Sequence, residues 1–144
     1  MHLQKDTNPA LNTVTAYGDD YIEINKTRHQ RSIYFTPEGQ IYDLGIQSPF
    51  DFTTELLQKI TGVCAAAKSP MDFLDHAAPR FENPGQIEVL LIGTGKTQQL
   101  LPPELLHELL SARVGVEVMD SQAAARTYNI LMSEGRRVVA ALII

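Results

Sequence analysis

Three short apolar runs separated by two amphipathic stretches govern the last third of the chain. Ile87-Glu88-Val89-Leu90-Leu91-Ile92 is almost continuously apolar over a strand's length, the pattern of a strand covered on both faces. Gly93-Thr94-Gly95 ends it. Pro103 stands where a helix can begin, and Leu105, Leu106, Leu109 and Leu110 form a stripe opposite Glu104, His107, Glu108 and Ser111. Gly115 suits the end of that helix, and Val116-Glu117-Val118-Met119 alternates as a second strand. Asp120 or Ser121 caps a second helix over residues 121–134, burying Ala124, Tyr128, Leu131 and Met132 and aligning Gln122, Arg126, Asn129 and Ser133 on a polar side. Gly135 closes it, and residues 138–144 supply a final buried strand. Strand, helix, strand, helix, strand is a βαβαβ unit with right-handed crossovers, so the fold class is α/β.

Upstream, the signals change to those of β-hairpins. Tyr21-Ile22-Glu23-Ile24 and Ser32-Ile33-Tyr34-Phe35 are rich in β-branched and aromatic residues and bounded by turn formers. Gly18-Asp19-Asp20 and Thr36-Pro37-Glu38-Gly39 supply turns, the second leading into a strand over residues 41–44. Leu56, Leu57 and Ile60 then recur at helical spacing behind Thr53 or Thr54 as N-cap. One further helix is expected within residues 62–84, where Ala65-Ala66-Ala67 and residues 71–76 lie between prolines. Residues 1–13 lack apolar periodicity and read as a mobile tail, leaving one domain over residues 14–144.

At 144 residues the chain has the size of one domain, enough to bury roughly 68–70% of its unfolded surface. A net charge of -5, with basic residues spread along the sequence, argues against a general nucleic-acid binder, whose phosphate contacts need clustered Lys and Arg. The single Cys64 cannot form an internal disulfide, and the first residues lack the apolar stretch of a secretory signal; both point to the cytoplasm. The apolar run at residues 138–144 is far short of the roughly 20 residues of a membrane-spanning helix, so no membrane insertion is expected.

Gly93-Thr94-Gly95-Lys96-Thr97 imitates the end of a nucleotide-binding loop, G-x-x-x-x-G-K-S/T, but the count fails. The first glycine would fall at Leu90, inside the strand, and Pro102-Pro103 starts the helix too late. A dinucleotide fingerprint fails at Gln98, which takes the place of its third glycine. The common role of Gly93 and Gly95 is backbone geometry at a strand end. The alternative is a crevice at the carboxyl ends of parallel strands, where Thr94, Lys96 and Asp120 would meet a small-molecule ligand. Likewise the face carrying Arg126 and Asn129 is either a solvated helix surface or a partner surface, extended by Arg136 and Arg137. Asp72, Asp75 and His76 share one possible helical turn without a second ligand group at metal spacing, and Cys64 reads as a small buried side chain. No cofactor, metal or catalytic set is implied.

Leu90-Leu91-Ile92-Gly93-Thr94-Gly95, then Gly115-Val116-Glu117-Val118-Met119-Asp120, then Ala125-Arg126-Thr127-Tyr128-Asn129-Ile130-Leu131 with Glu134-Gly135-Arg136, resemble the Mth938-like domain family. That family consists of small proteins of largely unknown function and includes a mitochondrial assembly factor of respiratory complex I. The resemblance is specific over residues 87–143 and looser from about residue 31. It implies one compact α/β domain with mixed β-sheet layers and transfers no catalytic residue. Ser121 stands where the family pattern suggests Thr, and residues 62–84 are longer than usual. Two readings of function follow: a non-enzymatic protein-binding or assembly-assisting domain acting through its last helix, or a small-molecule binder or enzyme using Gly93, Thr94, Gly95 and Lys96 with Asp120 and Arg126.

Overall fold

The computed structural model describes residues 11–66 and 80–144. Its N-terminal part is an antiparallel sheet of β1 (Val14–Gly18), β2 (Tyr21–Ile24) and β3 (Thr27–His29), in that spatial order. The two-residue turn between β2 and β3 places Asn25 and Lys26 at φ of 53° and 71°. Positive φ at both positions matches the twist of the flanking strands. Next come β4 (Ile33–Phe35), β5 (Tyr42–Asp43) and α1 (Thr54–Thr61). Thr53 is the cap of α1, its hydroxyl accepting from the Leu56 N–H at 3.1 Å.

Two short paired strands, β6 (Cys64–Ala65) and β7 (Phe81–Glu82), precede the C-terminal unit. That unit is β8 (Val89–Gly93), α2 (Pro103–Ser111), β9 (Gly115–Met119), α3 (Ser121–Ser133) and β10 (Val138–Leu142). The central sheet runs β5-β4-β10-β8-β9. β8 lies parallel to both β9 and β10, while β4 pairs antiparallel with β10 and β5. Because β9 and β10 flank β8 on opposite sides, right-handed crossovers send α2 and α3 to opposite faces of the sheet.

Side-chain alternation along the strands builds two cores. Val89, Leu91, Val138, Ala140 and Leu142 pack with Ala124 and Tyr128 of α3 and with Ile22 and Ile24 of β2. Leu90, Ile92, Val139 and Ala141 pack with Leu57 and Ile60 of α1 and Leu109 of α2. The ring of Tyr128 meets Phe35 edge-on at 4.7 Å between centroids, and its hydroxyl donates to the Asn12 carbonyl at 2.7 Å. Chain and core are thus tied across the molecule by one buried tyrosine.

Several expectations change. Asn12, assigned to the tail, is 5% exposed; its side-chain amide donates to the Thr36 and Gly39 carbonyls at 2.8 and 3.0 Å. These bonds hold the chain two residues before the expected boundary, and the earlier tail, residues 1–10, lies outside the described residues. Ala65 is in a strand, not a helix, and residues 71–76 of the expected helix, with Asp72, Asp75 and His76, also lie outside the described residues. Cys64 is exposed, since a two-stranded ribbon gives it no second layer to pack under. Leu110 points outward from α2, leaving Leu105, Leu106 and Leu109 to face the core. Arg113, at φ of 66°, and not Gly115 takes the positive-φ position after that helix; Gly115 begins β9.

Candidate functional site

The parallel strands β8 and β10 end beside the first turn of α3, and the residues there are bound to one another. A Cβ on Gly93 would lie 2.7 Å from the Ser121 Oγ and 2.8 Å from the Ser121 Cα, so only glycine lets α3 start directly above β8. Gly95 turns the chain at φ of 101°. The Ser121 hydroxyl donates to the Ile143 carbonyl at 2.6 Å and accepts from the Gly95 N–H at 2.8 Å, while the Ser121 N–H donates to the Gly95 carbonyl at 2.9 Å. One serine therefore joins three chain segments, and it is 6% exposed.

Thr94 acts in the same way one residue earlier. Its N–H donates to the Met119 carbonyl at 2.8 Å, and its buried hydroxyl reaches the Thr97 carbonyl at 2.7 Å while accepting from the Gln99 N–H at 3.1 Å. Asp120 is the N-cap of α3, accepting from the Ala123 N–H at 2.9 Å. Lys96 alone of the expected crevice residues points outward; with Gly18, Asp19, Tyr21, Gly95 and Gln122 it lines a cavity of about 220 Å³. The structure thus brings Gly93, Thr94, Gly95, Lys96 and Asp120 together, with most of their polar groups already used.

The polar stripe of α3 is not an open surface. β1 and its turn lie along it: the Gln122 amide donates to Asp19 at 3.3 Å, the Arg126 guanidinium to the Tyr17 hydroxyl at 3.1 Å, and Asn129 pairs twice with the Val14 backbone, at 2.9 and 2.8 Å. Asn129 reproduces with its side-chain amide the two bonds a neighbouring strand would make. The hydrogen bond to Tyr17 raises the Arg126 pKa, and burial raises that of Tyr128. Arg126 and Ser133 remain exposed, whereas Gln122 and Asn129 are half-buried.

Arg136 sits at the other end of the sheet, where β8 and β10 begin. Its Nε donates to Glu88 at 2.8 Å, and the Arg137 N–H donates to the other Glu88 oxygen at 2.9 Å. The Arg137 backbone bond, then the Arg136 side chain, hold the Glu88 carboxyl below its ordinary range. Arg136 and Arg137 also line a hollow of about 490 Å³ with Glu38, Ile87 and Met132. Arg136 is therefore no part of the strand-end cluster.

With this geometry established, likeness to other proteins becomes informative. The family described as protein of unknown function (DUF498/DUF598) matches residues 14–143. The chain belongs to this family. A solved structure of similar fold is that of a Bordetella pertussis protein, described as a Mth938-like domain: TM-score 0.75, 52% identity, covering 99% of this chain and 92% of that one. An uncharacterized protein of Rhodobacter capsulatus is 43% identical over 55% of this chain and 64% of its own length. The 13 kDa major membrane protein of Francisella tularensis is 34% identical over 58% of this chain and 62% of its own length. NADH dehydrogenase (ubiquinone) 1 alpha subcomplex assembly factor 3 of Danio rerio is 48% identical over 40% of this chain and 33% of its length. The matches thus span less than two thirds of these curated relatives. Within the DUF498/DUF598 chain described here, sequence reasoning missed Ser121 as a joint; the signal was present in Gly93, a residue that a close helix approach demands.

Proposed function

We propose that the chain is a non-enzymatic protein-binding domain that assists the assembly of a larger complex. The observation that carries this reading is the self-satisfaction of the strand-end joint. In open α/β sheets that crevice is where ligands bind through loop N–H groups and a helix start. Here the Gly95 and Ser121 N–H groups and the Ser121 hydroxyl are spent on the protein itself. The name of the Danio rerio relative, an assembly factor, supports the same direction.

The test is affinity purification of the full chain from its own cells after mild cross-linking, with the captured proteins identified by mass spectrometry. A reproducible, stoichiometric protein partner supports the reading; the chain recovered alone under cross-linking contradicts it. The reading places the chain in the cytoplasm. Fractionation tests this, and because the Francisella relative is named a membrane protein, the membrane fraction is the one to compare. No described helix is long and apolar enough to cross a membrane.

A second reading keeps a specific observation in its favour. The cavity of about 220 Å³ beside Lys96 has apolar walls from Ile22, Ile143 and Ile144 with Lys96 and Asp19 of opposite charge. A small amphipathic molecule there would raise the unfolding temperature in a concentration-dependent way. Loss of that shift in Lys96→Ala would establish it.

A further inference from the structure

The basic residues look scattered along the sequence, yet Lys26, Arg28, His29 and Arg31 fall within six positions of a chain whose net charge is -5. Folding arranges three of them around one groove. Arg28, His29 and Arg31 line a shallow hollow of about 260 Å³ together with Ile33, Ile41, Tyr42 and Asp43. Among the described residues Asp43 is the one acid lining it. It lies 3.8 Å from Arg31 with both side chains largely exposed, at 58% and 87%, an ion pair of little energetic weight.

Arg28 is held ready by an aromatic ring. Its guanidinium lies 3.9 Å from the centre of the Tyr21 ring, which fixes its plane without using a donor. Among the described residues no hydrogen bond or ion pair takes up its N–H groups. The groove also lies between two sheet edges, because β3 ends one sheet and β5 ends the other. The Leu44 N–H donates inward to the Ser32 carbonyl, so by alternation the backbone of the preceding residue, Asp43, points away from β4 and toward the open edge.

We propose that the groove between β3 and β5 binds an acidic, extended segment of a partner protein. The edge supplies main-chain pairing, Ile41 supplies apolar contact, and Arg28 and Arg31 select negative side chains. In the larger hollow near β10, Arg136 is committed to Glu88 by a 2.8 Å hydrogen bond, whereas Arg28, with Glu23 opposite it across the β2–β3 pair, makes no such bond among the described residues. This inference rests on the protein-binding reading and gives it a surface.

The test is titration of the ¹⁵N-labelled full chain with a nonapeptide of alternating glutamate and valine, and with its lysine counterpart, followed by amide chemical shifts. The glutamate peptide is expected to move the Arg28, His29, Arg31, Tyr42 and Asp43 amides saturably, more weakly as salt rises. The double variant R28E/R31E should bind it at least about tenfold more weakly and bind the lysine peptide better than the wild type does. R28Q/R31Q gives the same loss of glutamate-peptide binding with a smaller change of charge. Shifts centred elsewhere, no shifts, equal shifts with inorganic phosphate alone, or equal affinity for a thymidine oligonucleotide would each overturn the proposal. A natural partner captured equally by wild type and R28E/R31E keeps the protein-binding reading and removes this groove. Saturable peptide binding without any captured partner keeps the groove and removes the reading.

Discussion

The strand-end joint and the β3–β5 groove both carry polar groups and put them to opposite use. At the joint, Thr94, Gly95 and Ser121 direct their donors and acceptors at one another within contacts too tight for a Cβ on Gly93. In the groove, Arg28 rests on an aromatic face with its donors toward solvent. The difference teaches that a glycine-rich loop at a strand end is read correctly only once its N–H groups are assigned partners. A buried polar group without a partner costs about 1–3 kcal/mol, so a closed joint stabilises the fold, whereas solvated arginines cost the fold little and remain free for binding.

The contrast breaks first in the core that supports both regions. Tyr128→Ala removes a fully buried ring and is expected to cost about 3–5 kcal/mol in denaturant unfolding, while Tyr128→Phe, losing only the bond to the Asn12 carbonyl, should cost about 1–3 kcal/mol. Equal losses in the two variants would mean that the hydroxyl, and not the ring, anchors the start of the chain.

Ser121→Ala sharpens it next. That change leaves the Gly95 N–H and the Ile143 carbonyl without their side-chain partner, and a loss of about 1–3 kcal/mol is expected. The Gly95 amide should also lose protection in hydrogen exchange. Unchanged stability and protection would show that water replaces the hydroxyl and that the joint is open to ligands.

The smallest effect concerns the far end of the sheet. Glu88 titrates below its ordinary value of 4.5 because it accepts the Arg137 N–H and the Arg136 side chain. Its contribution is therefore present above 4.5 and lost as pH falls through the lower folded value. Glu88→Gln should reduce the stability difference between neutral pH and acid, read by unfolding at both; an unchanged difference would mean the pair is screened by solvent.

How much of this was legible depended on range. The C-terminal βαβαβ unit and the turn at Gly18-Asp19-Asp20 follow from local periodicity and turn chemistry, which left the cap of α3 between Asp120 and Ser121; it is Asp120. The use of the α3 stripe did not, because Gln122, Arg126 and Asn129 meet partners 103, 109 and 115 positions away. A polar face built to receive a strand has the same spacing as one built for water. Strand β3 also escaped notice: Asn25-Lys26 forms a two-residue turn without the glycine that usually marks one. Cys64, in an alanine-rich stretch that suggests burial, is exposed because its ribbon has two strands.

The central claim is that the joint is structural and the groove is the surface that meets a partner, so stability and binding should separate between Ser121→Ala and R28E/R31E. Both quantities can be read on the same samples by thermal unfolding and by glutamate-peptide titration below the unfolding transition. The account predicts that Ser121→Ala unfolds at a lower temperature yet binds the peptide as the wild type does, while R28E/R31E keeps its unfolding temperature and loses binding at least about tenfold. Loss of binding in folded Ser121→Ala, with R28E/R31E binding undiminished, would contradict it and return the functional site to the strand ends.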